Sequence, residues 1–172
     1  DTIVQPDPVR QSLRLTKEIS IAPTPIEGTV GAMLDQISAF KIMPSNASGV
    51  IARGGMASID VVSDPTLGRR SARKVLHPSL RKDRRAVSWF IREAHITGQL
   101  DHPNIVPVHD LGIDDEGKLF FTMKLVEGRT FDEIIKALPK GPIEGSRLFD
   151  LIGFLIRVCD ALEMAHSRGV IH

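Results

Sequence analysis

Lys74 lies inside an apolar run, Ala72-Arg73-Lys74-Val75-Leu76, where a solvated ammonium is not the default occupant. Upstream, Val50-Ile51 leads into a small-residue turn, Ala52-Arg53-Gly54-Gly55-Met56-Ala57, and then a second β-like run, Ile59-Asp60-Val61-Val62. Asp64-Pro65 and Leu67-Gly68 mark another turn. The spacing predicts a hairpin with a small-residue tip, followed by a strand that aims one ammonium beneath it. The chemistry this could do is anion binding. Glycine lets backbone N–H groups come close to phosphate oxygens, and lysine supplies a compact charge to the same anion. Taken alone, the stretch also fits an ordinary hairpin with a Gly-Gly turn.

A second charged residue stands in an apolar pattern. Residues 86–100 read as a helix, with Val87, Phe90, Ile91, Ala94 and Thr97 or Gly98 at helical spacing and Trp89 beside them. Glu93 sits next to that inward stripe. It is either a rim residue or the partner of a buried cation, and the pattern by itself favours the rim. His166 and His172 are too few and too ordinary to suggest a metal site. The one cysteine, Cys159, excludes an internal disulfide and a cysteine metal cluster, and its helical setting reads as a buried, inert thiol.

These residues need a frame to hold them. Residues 1–38 read as a mostly flexible leader punctuated by Pro6, Pro8, Pro23 and Pro25, with a short helix near Val30–Ile37. Ala39–Met43 would start the first strand, interrupted by Pro44–Gly49. The basic stretch Ser79–Arg85 reads as a solvated connection. A strand begins at Val106-Pro107-Val108, and Asp110–Lys118 is expected as a hairpin turn with Gly117 at positive φ. Leu119–Met123 forms a buried strand. Thr130-Phe131-Asp132-Glu133 is a capping box ahead of a short helix ended by Pro139–Pro142. Residues 146–166 form a longer helix whose inward stripe is read as Leu148, Leu151, Ile152, Leu155, Val158, Leu162 and Ala165.

Composition narrows the classes. The 172 residues suffice for one domain with a real core, and 42% hydrophobic with 25% charged content is that of a soluble globular protein. A formal net charge of +1 gives no argument for nucleic acid or an anionic membrane as partner. No run approaches a membrane span and no signal peptide is visible, which fits a cytoplasmic location.

The stretch Val50–Leu76 resembles the N-terminal part of a protein kinase, most closely the bacterial serine/threonine kinases that are themselves similar to the eukaryotic ones. That family carries G-x-G-x-x-G-x-V over the ATP phosphates and V-A-I-K on the third strand. Here Ala52, Gly54 and Ala57 take the loop-glycine positions, Ile59 takes the Val position, and Ser71-Ala72-Arg73-Lys74 takes the V-A-I-K position. Two of the three glycines are alanines. Alanine resists positive φ, so the loop is expected to sit farther from phosphate or to be stiffer.

A separate match supports the resemblance. Arg92-Glu93-Ala94 followed by Leu100-Asp101-His102-Pro103-Asn104-Ile105-Val106 is similar to the family's helix and the H-P-N-I turn after it. The 19 residues (93 − 74) between Lys74 and Glu93 suit the family's ion pair, which reverses the rim reading of Glu93. Met164–His172 resembles the run leading into the catalytic loop. The resemblance covers about Phe40–His172.

The resemblance implies an α+β, protein-kinase-like fold: an antiparallel β-sheet lobe with one main helix (residues 39–126, hinge included), then the first helices of an α-helical lobe (residues 127–172). It implies ATP and Mg²⁺ as cofactors and a protein substrate that receives the γ-phosphoryl on Ser or Thr. Lys74 and Glu93 would be the catalytic pair. Ile51, Ala52, Gly54, Gly55, Ala57, Ile59, Ala72, Lys74, Met123, Lys124 and Val126 would surround the nucleotide. Of these, Ile59 and Ala72 would roof the adenine, Met123 would guard the inner pocket, and backbone groups of Lys124 and Val126 would hydrogen-bond the base. The family's catalytic Asp, metal-binding Asn and D-F-G do not occur in this sequence. The expectation is therefore a partial kinase domain, inactive alone. A pseudokinase or binding module, or a structural sheet domain without nucleotide, stays open.

Overall fold

The computed structural model describes residues 47–65 and 67–171. The leader and the strand expected at Ala39–Met43 lie outside those residues. Among the described residues two compact units are distinct. One comprises residues 47–99 and 107–125, the other residues 100–106 and 126–171.

The first unit is a five-stranded antiparallel sheet in the order β1-β2-β3-β5-β4, with one long helix. Strands β1 (Ala47–Arg53), β2 (Ala57–Asp64) and β3 (Arg69–Leu76) form a meander. The helix α1 (Arg84–Gln99) follows, and then β4 (Val108–Ile113) and β5 (Leu119–Lys124). The interior ladders are regular: β2 pairs with β3 from Ala57↔Leu76 to Asp64↔Arg69, and β3 with β5 from Ser71↔Lys124 to Val75↔Phe120. The core lies between the sheet and α1. Val87, Phe90, Ile91, Ala94 and Thr97 of α1 are buried, and the Phe90 ring lies 5.1 Å from that of Phe121 on β5. This inward set is the one the helical spacing predicts.

Two boundaries differ from expectation. Residues 47–49, expected to interrupt the first strand, belong to β1. Its pairing with β2 shifts register twice, between Ala47 and Val50 and between Val50 and Ala52. Gly49 has φ +116°, a conformation that side-chain-bearing residues rarely adopt, so a turn-like sequence is absorbed as an irregularity within the strand. The second hairpin is tighter than predicted. Asp110–Ile113 are strand residues, with Asp110 opposite Thr122 and accepting its hydroxyl at 3.3 Å. The turn is Asp114–Lys118, where Asp114 Oδ1 accepts the N–H groups of Glu116 (3.1 Å) and Lys118 (2.7 Å), and Gly117 has the expected positive φ, +69°.

The connection after β3 is not merely solvated. Asp83 Oδ1 accepts the N–H groups of Arg85 (2.9 Å) and Ala86 (3.3 Å), capping α1, and Arg81 Nη2 donates to the Glu116 carbonyl at 2.5 Å.

His109 on β4 is half-buried. Its pKa lies below the ordinary 6.5, chiefly because burial disfavours the cation and secondarily because Arg69 repels it, with Asp110 opposing. A depressed folded-state pKa means the unfolded chain takes up the proton first. Stability is then full above about pH 6.5 and falls as pH drops through the window below it. Denaturant titrations at pH 7.5 and 5.5 should show this loss, and His109→Asn should remove its share of the difference. An unchanged pH dependence in the variant would refute the assignment.

In the second unit, α2 (Phe131–Lys136) opens with the predicted capping box. Glu133 N–H donates to Thr130 Oγ1 at 3.2 Å and Thr130 N–H donates to Glu133 Oε2 at 2.6 Å. The helix α3 (Gly145–Ser167) buries Phe154, Ala161 and Ala165. Of the stripe read from sequence, Leu148, Ile152 and Leu155 are exposed instead, as are Phe149 and Ile156. Ala165 of that stripe is buried and Leu151, Val158 and Leu162 are partly buried, so the periodicity locates only part of the inward side. Cys159, expected to be buried, is exposed. Asn104 of the His-Pro-Asn turn donates from Nδ2 to the Arg157 carbonyl at 3.2 Å, joining that turn to α3.

Candidate functional site

The sheet register gathers most of the sequence-predicted residues on one face. Ala52 pairs with Ile59, Ile59 with Lys74, and Lys74 with Phe121, giving one row across four strands. Two residues along, Val61, Ala72 and Met123 form the next row on the same face, since side chains repeat every second residue. Ala72 and Met123 are buried there, while Ala52 and Ile59 are partly exposed.

α1 packs on this face. Lys74 Nζ lies 2.5 Å from Glu93 Oε1, and the two side chains are only 15% and 13% exposed. Lys74 Nζ also stands 5.6 Å from the centre of the Phe121 ring. A strand thus presents the ammonium, and the carboxylate on the facing helix fixes its direction. The rim position that pattern alone favours for Glu93 is corrected by this contact.

The tip that joins β1 to β2 closes through Gly54 N–H donating to the Ala57 carbonyl at 2.9 Å. Neither Gly54 nor Gly55 has positive φ, and an added Cβ would meet only the Ala57 carbonyl oxygen at 3.5 Å from Gly54, and nothing within 4 Å from Gly55. The fold itself does not demand glycine at either position. Ala52 and Ala57 lie within strands, and no non-glycine residue among those described has positive φ. The two alanines therefore impose no backbone strain on the loop.

Three predicted residues stand apart from the shared face. Ile51 is the extra residue of the β1 irregularity, since Val50 and Ala52 pair with the consecutive Asp60 and Ile59; it is exposed. Lys124 ends β5, and its N–H donates to the Pro107 carbonyl at 3.1 Å. A ligand could therefore use only its carbonyl. Val126 belongs to the second unit, where it is buried.

The sequence reading missed the opposite face of β3. Arg73, 5% exposed, donates from Nε to Asp60 Oδ1 at 3.0 Å and from Nη2 to Asp60 Oδ2 at 2.8 Å. Its Nη1 lies 3.9 Å from Asp114 Oδ2, and the guanidinium sits 5.7 Å from the Phe120 ring centre. The Asp60 hydrogen bonds raise the already high pKa of Arg73 more than burial lowers it, so the cation persists. The signal was available: a charged residue in the middle of each of two adjacent apolar strands. His77 was also passed over. Its ring Nε2 lies 2.9 Å from the Gly54 carbonyl oxygen.

Among the described residues, no group of three or more His, Cys, Asp or Glu is placed to hold a metal ion, and no helix is long and apolar enough to cross a membrane. A cavity of about 430 Å³ between α2 and α3 is lined by Leu138, Phe149, Phe154 and Arg147 and contains none of the predicted residues.

Comparison with known proteins agrees with this geometry. The protein kinase domain family matches residues 46–172. The serine/threonine-protein kinase PknJ of Mycobacterium tuberculosis is 37% identical over 123 residues, covering 72% of this chain and 20% of that protein. PknD of Chlamydia caviae is 30% identical over 129 residues, covering 72% of this chain and 14% of that protein. The crystal structure of the Mycobacterium tuberculosis PknI kinase domain superposes with a TM-score of 0.58 at 26% identity, covering 78% of this chain and 53% of that one. The chain thus spans about half the length of that solved kinase domain, and a fifth or less of these two curated relatives.

Proposed function

The chain belongs to the protein kinase family, and from that premise we propose that it is the ATP-binding part of a serine/threonine protein kinase. The reaction is transfer of the ATP γ-phosphoryl to a protein Ser or Thr hydroxyl. The bond from phosphorus to the ADP oxygen breaks with its electron pair left on ADP, the bond to the hydroxyl oxygen forms, and the hydroxyl proton is released to solvent. The part assigned to residues 1–172 is nucleotide binding. The names of the relatives support serine/threonine rather than tyrosine specificity. A cytoplasmic location goes with the use of ATP.

The observation that carries this reading is the Lys74–Glu93 pair, a nearly buried ion pair on an otherwise apolar face beside a glycine tip. Lys74 holds the α- and β-phosphates and Glu93 orients Lys74. Gly54 and Gly55 let the loop backbone close over the phosphates, a use consistent with a fold that tolerates a Cβ at both. Ala57 and Ala52 flank the tip, Ile51 lies at its entrance, and Ile59 and Ala72 form the apolar ceiling over adenine. Met123 guards the inner pocket, and the Lys124 carbonyl meets the base. Mg²⁺ would neutralise phosphate charge in the whole reaction, and no ligand for it is assigned among these residues.

Calorimetric titration with ATP and Mg²⁺ tests the reading. Saturable binding with competition by both adenosine and tripolyphosphate is the expected result. Absence of ATP binding would leave a nucleotide-independent binding module.

A further inference from the structure

We propose that His77 is a positioning residue for the phosphate-binding tip, an inference that rests on the nucleotide-binding reading above. His77 directly follows the last residue of β3, three residues beyond Lys74, and grips the tip at two points. Its main-chain N–H donates to the Met56 carbonyl at 3.0 Å, and its ring Nε2 meets the Gly54 carbonyl oxygen at 2.9 Å. A carbonyl oxygen only accepts, so the ring donates. The Nε2 that meets Gly54 therefore carries a hydrogen.

The consequence follows from the planar trans peptide. In such a unit the C=O and the next residue's N–H point in opposite directions. Drawing the Gly54 oxygen toward His77 therefore turns the Gly55 N–H away from it. Among the described residues that N–H has no backbone acceptor, and Gly55 carries no side chain to block an approaching group. An unpaired, outward N–H on an unhindered residue is a donor for an anion. Without the ring, no hydrogen bond among the described residues holds the Gly54–Gly55 peptide plane, because the Gly54 N–H that donates to Ala57 belongs to the preceding peptide, and the plane can rotate. His77 thus couples the direction of the tip donor to the end of the strand that carries Lys74. Both groups that address the phosphates are then set by one strand.

Two substitutions separate this role from simple stabilisation. His77→Ala removes the ring donor. His77→Gln restores a donor, because the carboxamide nitrogen lies as many bonds from Cβ as the imidazole Nε2 does. Binding of ATP, tripolyphosphate and adenosine is measured by calorimetry, and exchange of the Gly54 amide is followed by NMR without ligand. In His77→Ala, ATP and tripolyphosphate affinity should fall about three- to tenfold, the range one net hydrogen bond supplies. Adenosine affinity should stay constant, Gly54 exchange should quicken, and His77→Gln should recover both. Unchanged tripolyphosphate affinity in His77→Ala, or an equal loss of adenosine affinity, overturns the proposal alone. A wild-type chain that binds none of the three ligands overturns the nucleotide reading itself, and the proposal with it.

Discussion

Lys74→Met should reduce ATP affinity by about 10- to 100-fold, the largest functional effect expected of any single substitution here. Hydrogen bonds to charged groups contribute about 1.5–3 kcal/mol each, and every 1.4 kcal/mol is tenfold in affinity. The substitution also strands the Glu93 carboxylate, 13% exposed, against the apolar face it shares with Phe121. A stability loss of about 1–3 kcal/mol should accompany the loss of binding, below the cost for a fully buried pair because both groups retain some water. The two effects separate in the double variant Lys74→Met/Glu93→Leu. Replacing both charges with apolar groups should restore stability and leave binding lost. Glu93→Gln should cost less affinity, since it keeps Lys74 and removes only its director. If Lys74→Met bound ATP as well as the wild type, the site would not be where this geometry puts it.

The largest stability effect belongs to the other face of the same strand. Asp60→Ala should destabilise the sheet by about 3–5 kcal/mol, because it leaves Arg73 buried and without its bidentate partner. Typical domain stability is about 5–15 kcal/mol, so the variant would be marginal, with its melting temperature lowered by more than about 10 °C. Asp114 does not replace it in place, as its nearer oxygen, Oδ2, stands 3.9 Å from Arg73 Nη1, beyond hydrogen-bonding distance, while two turn amides hold Oδ1. Exchanging the pair for Leu and Met together should recover most of the loss. A melting temperature within a few degrees of wild type in Asp60→Ala would show that Arg73 finds water or another acceptor.

These two faces of β3 show what a sequence does and does not disclose. Lys74 and Glu93 were legible together because one family pattern ties a strand lysine to a helix glutamate at this spacing, and the side chains do meet. The inward residues of α1 were legible from periodicity, and the Thr130 capping box from four letters. Arg73 and Asp60 stood out as charges within apolar strands, but their pairing was not legible, because cross-strand partners depend on register, which no local rule supplies. The β1 boundary failed for a related reason: Pro44–Gly49 carries turn residues, and only the sheet shows that residues 47–49 are strand and that Gly49 adopts a positive φ within it. His77 was hidden because its function is a contact with a carbonyl, which leaves no mark on residue type at the other end.

The irregular registers have a consequence for how copies of this chain meet at high concentration. Both interior ladders run without a break, whereas the ladders that involve the outermost strands, β1 and β4, are each interrupted. An uninterrupted outer strand would offer a straight template of unpaired amides and carbonyls onto which another molecule could zip. The register breaks at residues 47–52, and between Val108 and Asp110, spoil that template at both ends of the sheet. Val50 and Ile51 can therefore stand half-exposed on an outer strand without nucleating a shared β-sheet between molecules.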